Sequence, residues 1–280
     1  MKKKILLLAL DLDGTLFNTE SKISDANRAA LKKAIAQGVT VVISTGRPYV
    51  GLPLDDMADI GIRYAITANG SEIFRTPEKE PIYLDGLDPI TGCRLLQELY
   101  QNRIHLDAFI QGNAYTQAST RAVAEKLDMP ASIKYYILNT RTVVEDLGAY
   151  LRENHLTIGK MTLNFMPDGN GGYVDRDRTE QLLKAHPEIT YVCGGYHNLE
   201  LTKAGISKSA GLKLLCNRLN IPCDATMACG DSENDLDIIT AAGIGVAMKN
   251  AAPIVKSAAD YIAPSNDEDG VADAIYRYVL

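Results

Sequence analysis

The sequence predicts an α/β protein: a doubly wound, mostly parallel sheet built from both ends of the chain, with a second, α+β unit inserted between them. Three observations carry this expectation. Continuous apolar, strand-like runs alternate with helical periodicity at the start of the chain, and the same texture returns after Asn198. Between the two, strand-like segments alternate polar with apolar residues, as in an open sheet covered on one side. The length of 280 residues fits about two domains. The expected division is 1–84 with 195–280 for the parallel unit and 85–194 for the insert.

Each element has a local reason. Ile5–Leu10 is a buried first strand closed by an Asp/Gly turn. Ser24 caps a helix whose Leu31, Ala34 and Ile35 share a face, and Gly38 ends it. Val39–Ser44 is β-branched and apolar, a second strand, with Tyr64–Thr67 a third. A hairpin follows, Ser71–Phe74 with Ile82–Leu84, joined through Pro77–Glu80. Asp88-Pro89 opens a helix with a cap and a first-turn proline. In the insert, strands are expected at Leu106–Ile110 and Thr157–Phe165, and helices near Arg121–Leu127, Val143–Arg152 and Thr179–Lys184. Leu199–Thr202 reads as a strand of the returning parallel unit. Ser207 precedes a helix with Leu212, Leu215, Cys216 and Leu219 on one face, followed by strands at Met227–Gly230, Ile244–Met248 and Tyr261–Ala263 and a closing helix around Val271, Ile275 and Val279.

Composition excludes several classes. Net charge is −6, against a nucleic-acid footprint, although small phosphorylated ligands are handled by local charge. Met1–Lys4 followed by Ile5–Leu10 imitates a leader, but the apolar part is short and acid follows at once, so it reads as a core strand. No run reaches the roughly 18 apolar residues of a membrane helix. Five cysteines without a CxxC pair point to reduced thiols and a cytoplasmic setting. Cys216 and Cys229 read as core fillers, and His105, His155, His186 and His197 share no metal-ligand spacing.

In a parallel sheet, ligands sit beyond the carboxyl ends of the strands. The polar clusters of this chain fall at those ends: Asp11-Leu12-Asp13-Gly14-Thr15, Ser44-Thr45-Gly46-Arg47, Lys203–Lys208 leading into a helix, and Gly230-Asp231-Ser232-Glu233-Asn234-Asp235. Asp11 and Asp13 are two apart at a strand end and point the same way. Like charges that close imply a cation between them or a shared proton.

In this order and at these strand ends, the four stretches resemble the motifs of the haloacid dehalogenase (HAD) superfamily of phosphohydrolases. They are most similar to its Cof-type branch, whose cap lies between the second and third motifs. The gap from Thr45 to Lys208 is long enough to hold such a cap. The resemblance implies a Rossmann-like core and a cap that sets substrate specificity. It also implies Mg²⁺-dependent hydrolysis of a small phosphomonoester: a sugar phosphate, a nucleotide or a phosphorylated cofactor. Asp11 then corresponds to the nucleophile, since a carboxylate can attack phosphorus and divide hydrolysis into two easier displacements. Asp13 is placed to give and take the proton. By the same resemblance Asp11, the backbone carbonyl of Asp13 and the side chain of Asp231 bind Mg²⁺. Asp235, a helical turn beyond Asp231, acts in the outer shell or complements the helix dipole.

Thr45 is expected to bond a phosphate oxygen, Gly46 to let the backbone approach, and Lys208 to offset the charge on phosphate and nucleophile. Asn234 contacts phosphate or caps a helix. Arg47 binds the leaving group or a second phosphate. Asn69-Gly70, with Thr67 before it, orients substrate or simply makes a tight turn. Lys160 and the loop Asp168–Gly172 could contact substrate, but a Gly/Asp/Asn loop is commonly only a loop. Two other functions use the same residues: a phosphosugar mutase, and a phosphometabolite-binding protein without turnover. No obligate protein partner is implied.

Overall fold

The computed structural model describes residues 4–194 and 197–280. In chain order the elements are β1 (Leu7–Leu10), α1 (Asp25–Ala36), β2 (Thr40–Ser44), α2 (Leu54–Ile60), β3 (Tyr64–Thr67), β4 (Glu72–Arg75), β5 (Glu80–Leu84), α3 (Pro89–Leu99), β6 (Ile104–Ile110), β7 (Asn113–Gln117), α4 (Arg121–Ala124), α5 (Ala131–Thr140) and β8 (Thr142–Val144). There follow α6 (Leu147–Glu153), β9 (Lys160–Phe165), α7 (Arg176–Lys184), β10 (Ile189–Cys193), β11 (Leu199–Lys203), α8 (Lys208–Leu219), β12 (Thr226–Gly230), α9 (Leu236–Ala241), β13 (Ile244–Met248), α10 (Pro253–Ala258), β14 (Tyr261–Ala263) and α11 (Gly270–Tyr278).

The chain divides into two units. One takes the chain up to Arg47, Leu52–Tyr83 and Ser207–Leu280; the other takes Pro48–Gly51 and Leu84–Ile206. The first holds an eight-stranded sheet in the order β14-β13-β12-β1-β2-β3-β4-β5. It is parallel from β14 to β3, and β4 then runs antiparallel to β3. Its central strands β1 and β12 are buried along their whole length, which is why they read as unbroken apolar runs. One face packs Leu7, Ala9, Val42 and Ile66 against Leu212, Leu215 and Cys216 of α8. On α1, buried Asn27 accepts the Ala272 amide at 2.8 Å and ties that helix to α11. Each fully buried leucine contributes roughly 1.5–3 kcal/mol.

The expected caps form. Ser24 accepts the Asn27 amide at 3.2 Å, Asp88 accepts the Ile90 and Thr91 amides with Pro89 next to it, and Ser207 accepts the Ala210 amide at 3.2 Å.

The second unit is a six-stranded sheet, β10-β11-β9-β6-β7-β8, antiparallel except for the β7–β8 pair. Leu106, Ala108, Met161, Leu163, Leu199 and Leu201 form an apolar cluster with Leu95, Leu96, Leu99, Leu147, Leu151 and Leu183 of α3, α6 and α7. The opposite face, expected to be bare, carries His105, Asp107, Thr116, Lys160 and Asn164, all buried, with α4 against β6.

Three sequence expectations need correction. The second segment of the parallel unit begins at Ser207, not at 195, because Leu199–Lys203 pairs antiparallel with β9 and β10 and buries its leucines in the second unit's core. Thr142–Val144 is a strand, as suits a β-branched triplet, and the helix expected from Val143 starts only after its Asp146 cap. Strands β7 and β10 and helix α5 were not anticipated at all, their patterns being short or irregular.

His186 shows how the second unit is pinned. Its ring nitrogens lie 3.0 Å from Glu98 of α3 and 3.0 Å from Glu188, and Glu188 also pairs with Arg94. The bond to Glu188, joined by that to Glu98, outweighs partial burial and raises the imidazole above its ordinary value. A raised folded-state pKa adds stability that is fully present below the ordinary value near 6.5 and lost as pH rises through the raised one. The stability of wild type should therefore exceed that of His186→Gln at pH 5.5 by up to about 1 kcal/mol, the gap narrowing by pH 8.5. Urea titrations across that range check it; a gap that widens with pH would contradict it.

Candidate active site

The register of the sheet gathers the motif ends. Leu10 pairs with Cys229 on one side and Ile43 on the other. The residues that follow, Asp11, Gly230-Asp231 and Ser44-Thr45, therefore leave the sheet side by side at its carboxyl edge. The Asp11 amide donates to the Cys229 carbonyl at 3.1 Å, extending the ladder by one step.

Lys208 is the centre of the pocket. Its Nζ donates to Asp11 Oδ1 at 2.8 Å and to Asp235 Oδ1 at 2.6 Å, with all three residues buried. Burial works against the ammonium, yet Asp11 and Asp235 outweigh it and hold the group above the ordinary lysine value. The helix that presents Lys208 is seated by Gly70. A Cβ there would stand 2.0 Å from the Ser207 carbonyl, and the backbone φ of +102° favours glycine independently. Asn69-Gly70 is thus a turn and also the seat of the α8 start.

Asp235 Oδ2 accepts the amides of Asp231 and Ser232, each at 3.1 Å. Both its oxygens are engaged, so this carboxylate fixes the loop and the ammonium. Asp231 is held by Thr15 Oγ1 at 3.3 Å and Ser232 Oγ at 3.2 Å. Gly14 lets it approach: a Cβ at that position, where φ is +80°, would meet Asp231 Oδ2 at 2.4 Å. Burial first, then the neighbouring Asp235, pushes Asp231 up to about 6. Burial likewise raises Asp11, aided by Asp235, Asp231 and Asp13 and only partly offset by Lys208.

Asp13 is not in this cluster. The chain leaves extended geometry in a turn after β1, and the Asp13 carboxylate, half exposed, takes a bidentate pair from Arg47: Nε at 2.7 Å and Nη2 at 2.6 Å. The Arg47 guanidinium also lies 5.3 Å from the centre of the Phe17 ring. The two carboxylates of the first motif thus have different partners, Lys208 for Asp11 and Arg47 for Asp13. Thr45 is buried; its hydroxyl accepts the Arg47 amide at 3.2 Å. The backbone of the Thr45–Arg47 loop, which includes Gly46, bonds to the 68–70 turn through the Ala68 and Asn69 amides. Asn234 Nδ2 donates to Asn69 Oδ1 at 3.4 Å.

The expected site residues Asp11, Lys208, Asp231 and Asp235 form one cluster, with Thr45, Gly46, Arg47, Asp13, Asn69 and Asn234 on loops bonded to it or to each other. Sequence reading missed Thr15, Ser232 and Asn250, whose Nδ2 holds the Gly14 carbonyl at 2.8 Å. Thr15 stood inside the first motif and could have been found there; nothing in the sequence marks Asn250.

One oxygen from each of Asp11, Asp231 and Asp235 lies within 4.8 Å of the others. Three carboxylates here face one ammonium, so negative charge is in excess. Two of them are raised, by burial first and by the neighbouring carboxylates after it. An all-oxygen donor set of this kind fits a small divalent cation such as Mg²⁺.

A family profile described as haloacid dehalogenase-like hydrolase matches residues 8–275. The chain belongs to the haloacid dehalogenase-like hydrolases. This hydrolase is 33% identical to the 5-amino-6-(5-phospho-D-ribitylamino)uracil phosphatase YcsE of Bacillus subtilis, over 99% of this chain and 96% of that one. It is 31% identical to the chloroplastic endoribonuclease YBEY of Arabidopsis thaliana over the whole chain, but spans only 47% of that longer protein. Among solved structures, a haloacid dehalogenase-like hydrolase from B. subtilis superposes with a TM-score of 0.83 at 29% identity, covering 98% of this hydrolase and 100% of the other. No helix among the described residues is long and apolar enough to cross a membrane.

Proposed function

We propose that this hydrolase is a Mg²⁺-dependent phosphatase of small phosphomonoesters, working through an aspartyl-phosphate on Asp11. The observation that supports it most is the Lys208 bridge: one ammonium, buried among three carboxylates, bonded to the one carboxylate that ends the first strand. No described residue donates to Asp11 Oδ2, so that oxygen is the free nucleophile. Lys208 and the Thr45 hydroxyl would neutralise and orient the phosphoryl oxygens, with Asn234, Asn69 and the Gly46 backbone completing the cradle. Asp13, half exposed and steered by Arg47, would protonate the leaving oxygen and then deprotonate the attacking water.

Asp11, the Asp13 carbonyl and Asp231 would hold Mg²⁺, with Asp235 behind them. The ion would supply the positive charge that lets a phosphate dianion enter an acidic pocket. The substrate class we assign is a phosphorylated sugar, nucleotide or cofactor precursor, the last by analogy with the B. subtilis phosphatase. A cytoplasmic setting agrees with five free cysteines.

Two outcomes follow. Released inorganic phosphate from a panel of phosphorylated metabolites should fall to background with EDTA, return with Mg²⁺, and be absent in a folded Asp11→Asn variant. Phosphate release that survives chelation or this substitution would overturn the assignment. Asp13→Asn should lower kcat about 10²–10⁴-fold. Arg47→Met should lower it less, and Arg47→Lys should not restore it, because an ammonium cannot reproduce the two-pronged bond. An Arg47→Met effect confined to KM would instead place Arg47 on the substrate.

A further inference from the structure

Asparagine followed by glycine is the dipeptide most prone to cyclise, because glycine has no side chain to shield its amide nitrogen from the asparagine carboxamide. The chain has two such pairs, Asn69-Gly70 and Asn170-Gly171. Their surroundings differ in kind. Asn69 and Gly70 are buried. Asn69 Oδ1 accepts from Asn234 Nδ2 at 3.4 Å, and Gly70 is seated so closely that a Cβ would stand 2.0 Å from the Ser207 carbonyl. Asn170 and Gly171 are exposed, in the loop between β9 and α7. A Cβ on Gly171 would have nothing within 4 Å.

This loop is closed at its base. The Val174 amide donates to the Met166 carbonyl at 2.9 Å, and the Asp168 amide to the Gly172 carbonyl at 3.0 Å. Asp168 Oδ1 accepts the Asn170 amide at 2.7 Å and the Gly172 amide at 2.9 Å. These bonds pass over Gly171. Neither its amide nor the Asn170 carboxamide is hydrogen-bonded to any described residue. A nucleophile and an electrophile on adjacent residues are therefore both unengaged and both in water. The preceding Asp168-Gly169 pair does not compete. The amides of Asn170 and then Gly172 hold the Asp168 carboxyl below its ordinary value, and an ionised carboxylate is a poor electrophile.

We propose that Asn170-Gly171 is a self-modification site, where the folded protein converts asparagine to a mixture of isoaspartate and aspartate. The Gly171 nitrogen attacks Asn170 Cγ. A carbon–nitrogen bond forms, the bond from Cγ to Nδ2 breaks, and Nδ2 leaves as ammonia with the proton that the Gly171 amide gives up. Water then opens the resulting succinimide. Opening at Cγ gives aspartate; opening at the main-chain carbonyl gives isoaspartate, whose backbone is one carbon longer. Overall one water is consumed and one ammonia released. Either product puts a second carboxylate near Asp168, and the longer backbone falls within the segment that Asp168 and Gly172 close.

Peptide mapping tests this directly. Trypsin cuts after Lys160 and Arg176 around Asn170, and after Arg63 and Arg75 around Asn69. The folded protein, and the same protein in guanidinium chloride, are held for days in mildly alkaline buffer, digested and fragmented. In the folded protein the Asn170 peptide is expected to gain about 1 Da at position 170. It should do so at least about tenfold faster than the Asn69 peptide, whose site reacts only after local opening. In denaturant the two sites should convert at similar rates. A protein isoaspartyl methyltransferase with labelled S-adenosylmethionine should mark the Asn170 peptide of the digest and leave the corresponding peptide of Asn170→Ser unmarked. Asn170 intact in the folded protein while it converts in denaturant, Asn69 converting as fast as Asn170 in the folded protein, or a gain of mass without methyl label would each overturn the proposal. None of these readings depends on phosphatase activity.

Discussion

The Lys208 ammonium is the constraint on which the rest depends. Asp11 ends the first strand, Asp235 lies in the turn after β12, and Lys208 begins α8; these are distant in sequence, and one cation bonds to both carboxylates. Breaking such a buried arrangement from either side leaves an uncompensated charge, a penalty of about 3–5 kcal/mol. The same bond therefore fixes the fold at the strand ends and fixes the direction in which Asp11 presents its other oxygen. Asp235 extends the constraint by accepting two backbone amides, so the loop that carries Asp231 is positioned by the same group that positions Lys208.

Around this centre the charges divide into two kinds. The buried set holds three carboxylates and one ammonium, and burial together with the neighbouring carboxylates raises Asp11 and Asp231. The second set, Asp13 with Arg47, is a balanced ion pair nearer to solvent. A pocket that must accept a phosphate needs its excess negative charge offset, whereas a group that exchanges protons with water needs access to it. The division matches the roles proposed for the two aspartates of the first motif. It follows from the partners of the two residues: Asp11 is bonded to Lys208, and Asp13, in the turn after β1, is bonded to Arg47.

Much of this was legible in the sequence where the signal is local or periodic. Buried parallel strands announce themselves as apolar runs, so β1, β2, β12, β13 and β14 were read nearly to the residue, and Ser24, Asp88 and Ser207 were identified as caps from side-chain chemistry alone. The motif residues at the strand ends were legible because a parallel sheet leaves few other places for them. What failed was non-local. Leu199–Lys203 has a pattern that suits either sheet, and only its pairing with β9 and β10 decides between them. The Asp13–Arg47 pair depends on the path of a turn, and Asn250 acts through a carbonyl contact that leaves no pattern. In the second unit, short strands and a polar yet buried sheet face give weak periodicity, so β7, β10 and α5 went unseen.

The central claim is that the oxygen of Asp11 left open by the Lys208 bridge makes the bond to phosphorus. Acid-quenching the enzyme during turnover of a phosphomonoester, reducing with borohydride and sequencing the peptides tests it most directly, because an acyl phosphate is converted to homoserine at its own position. Homoserine at position 11 is the predicted result. Conversion at another residue, or phosphate release with position 11 unmodified at every quench time, would contradict the account.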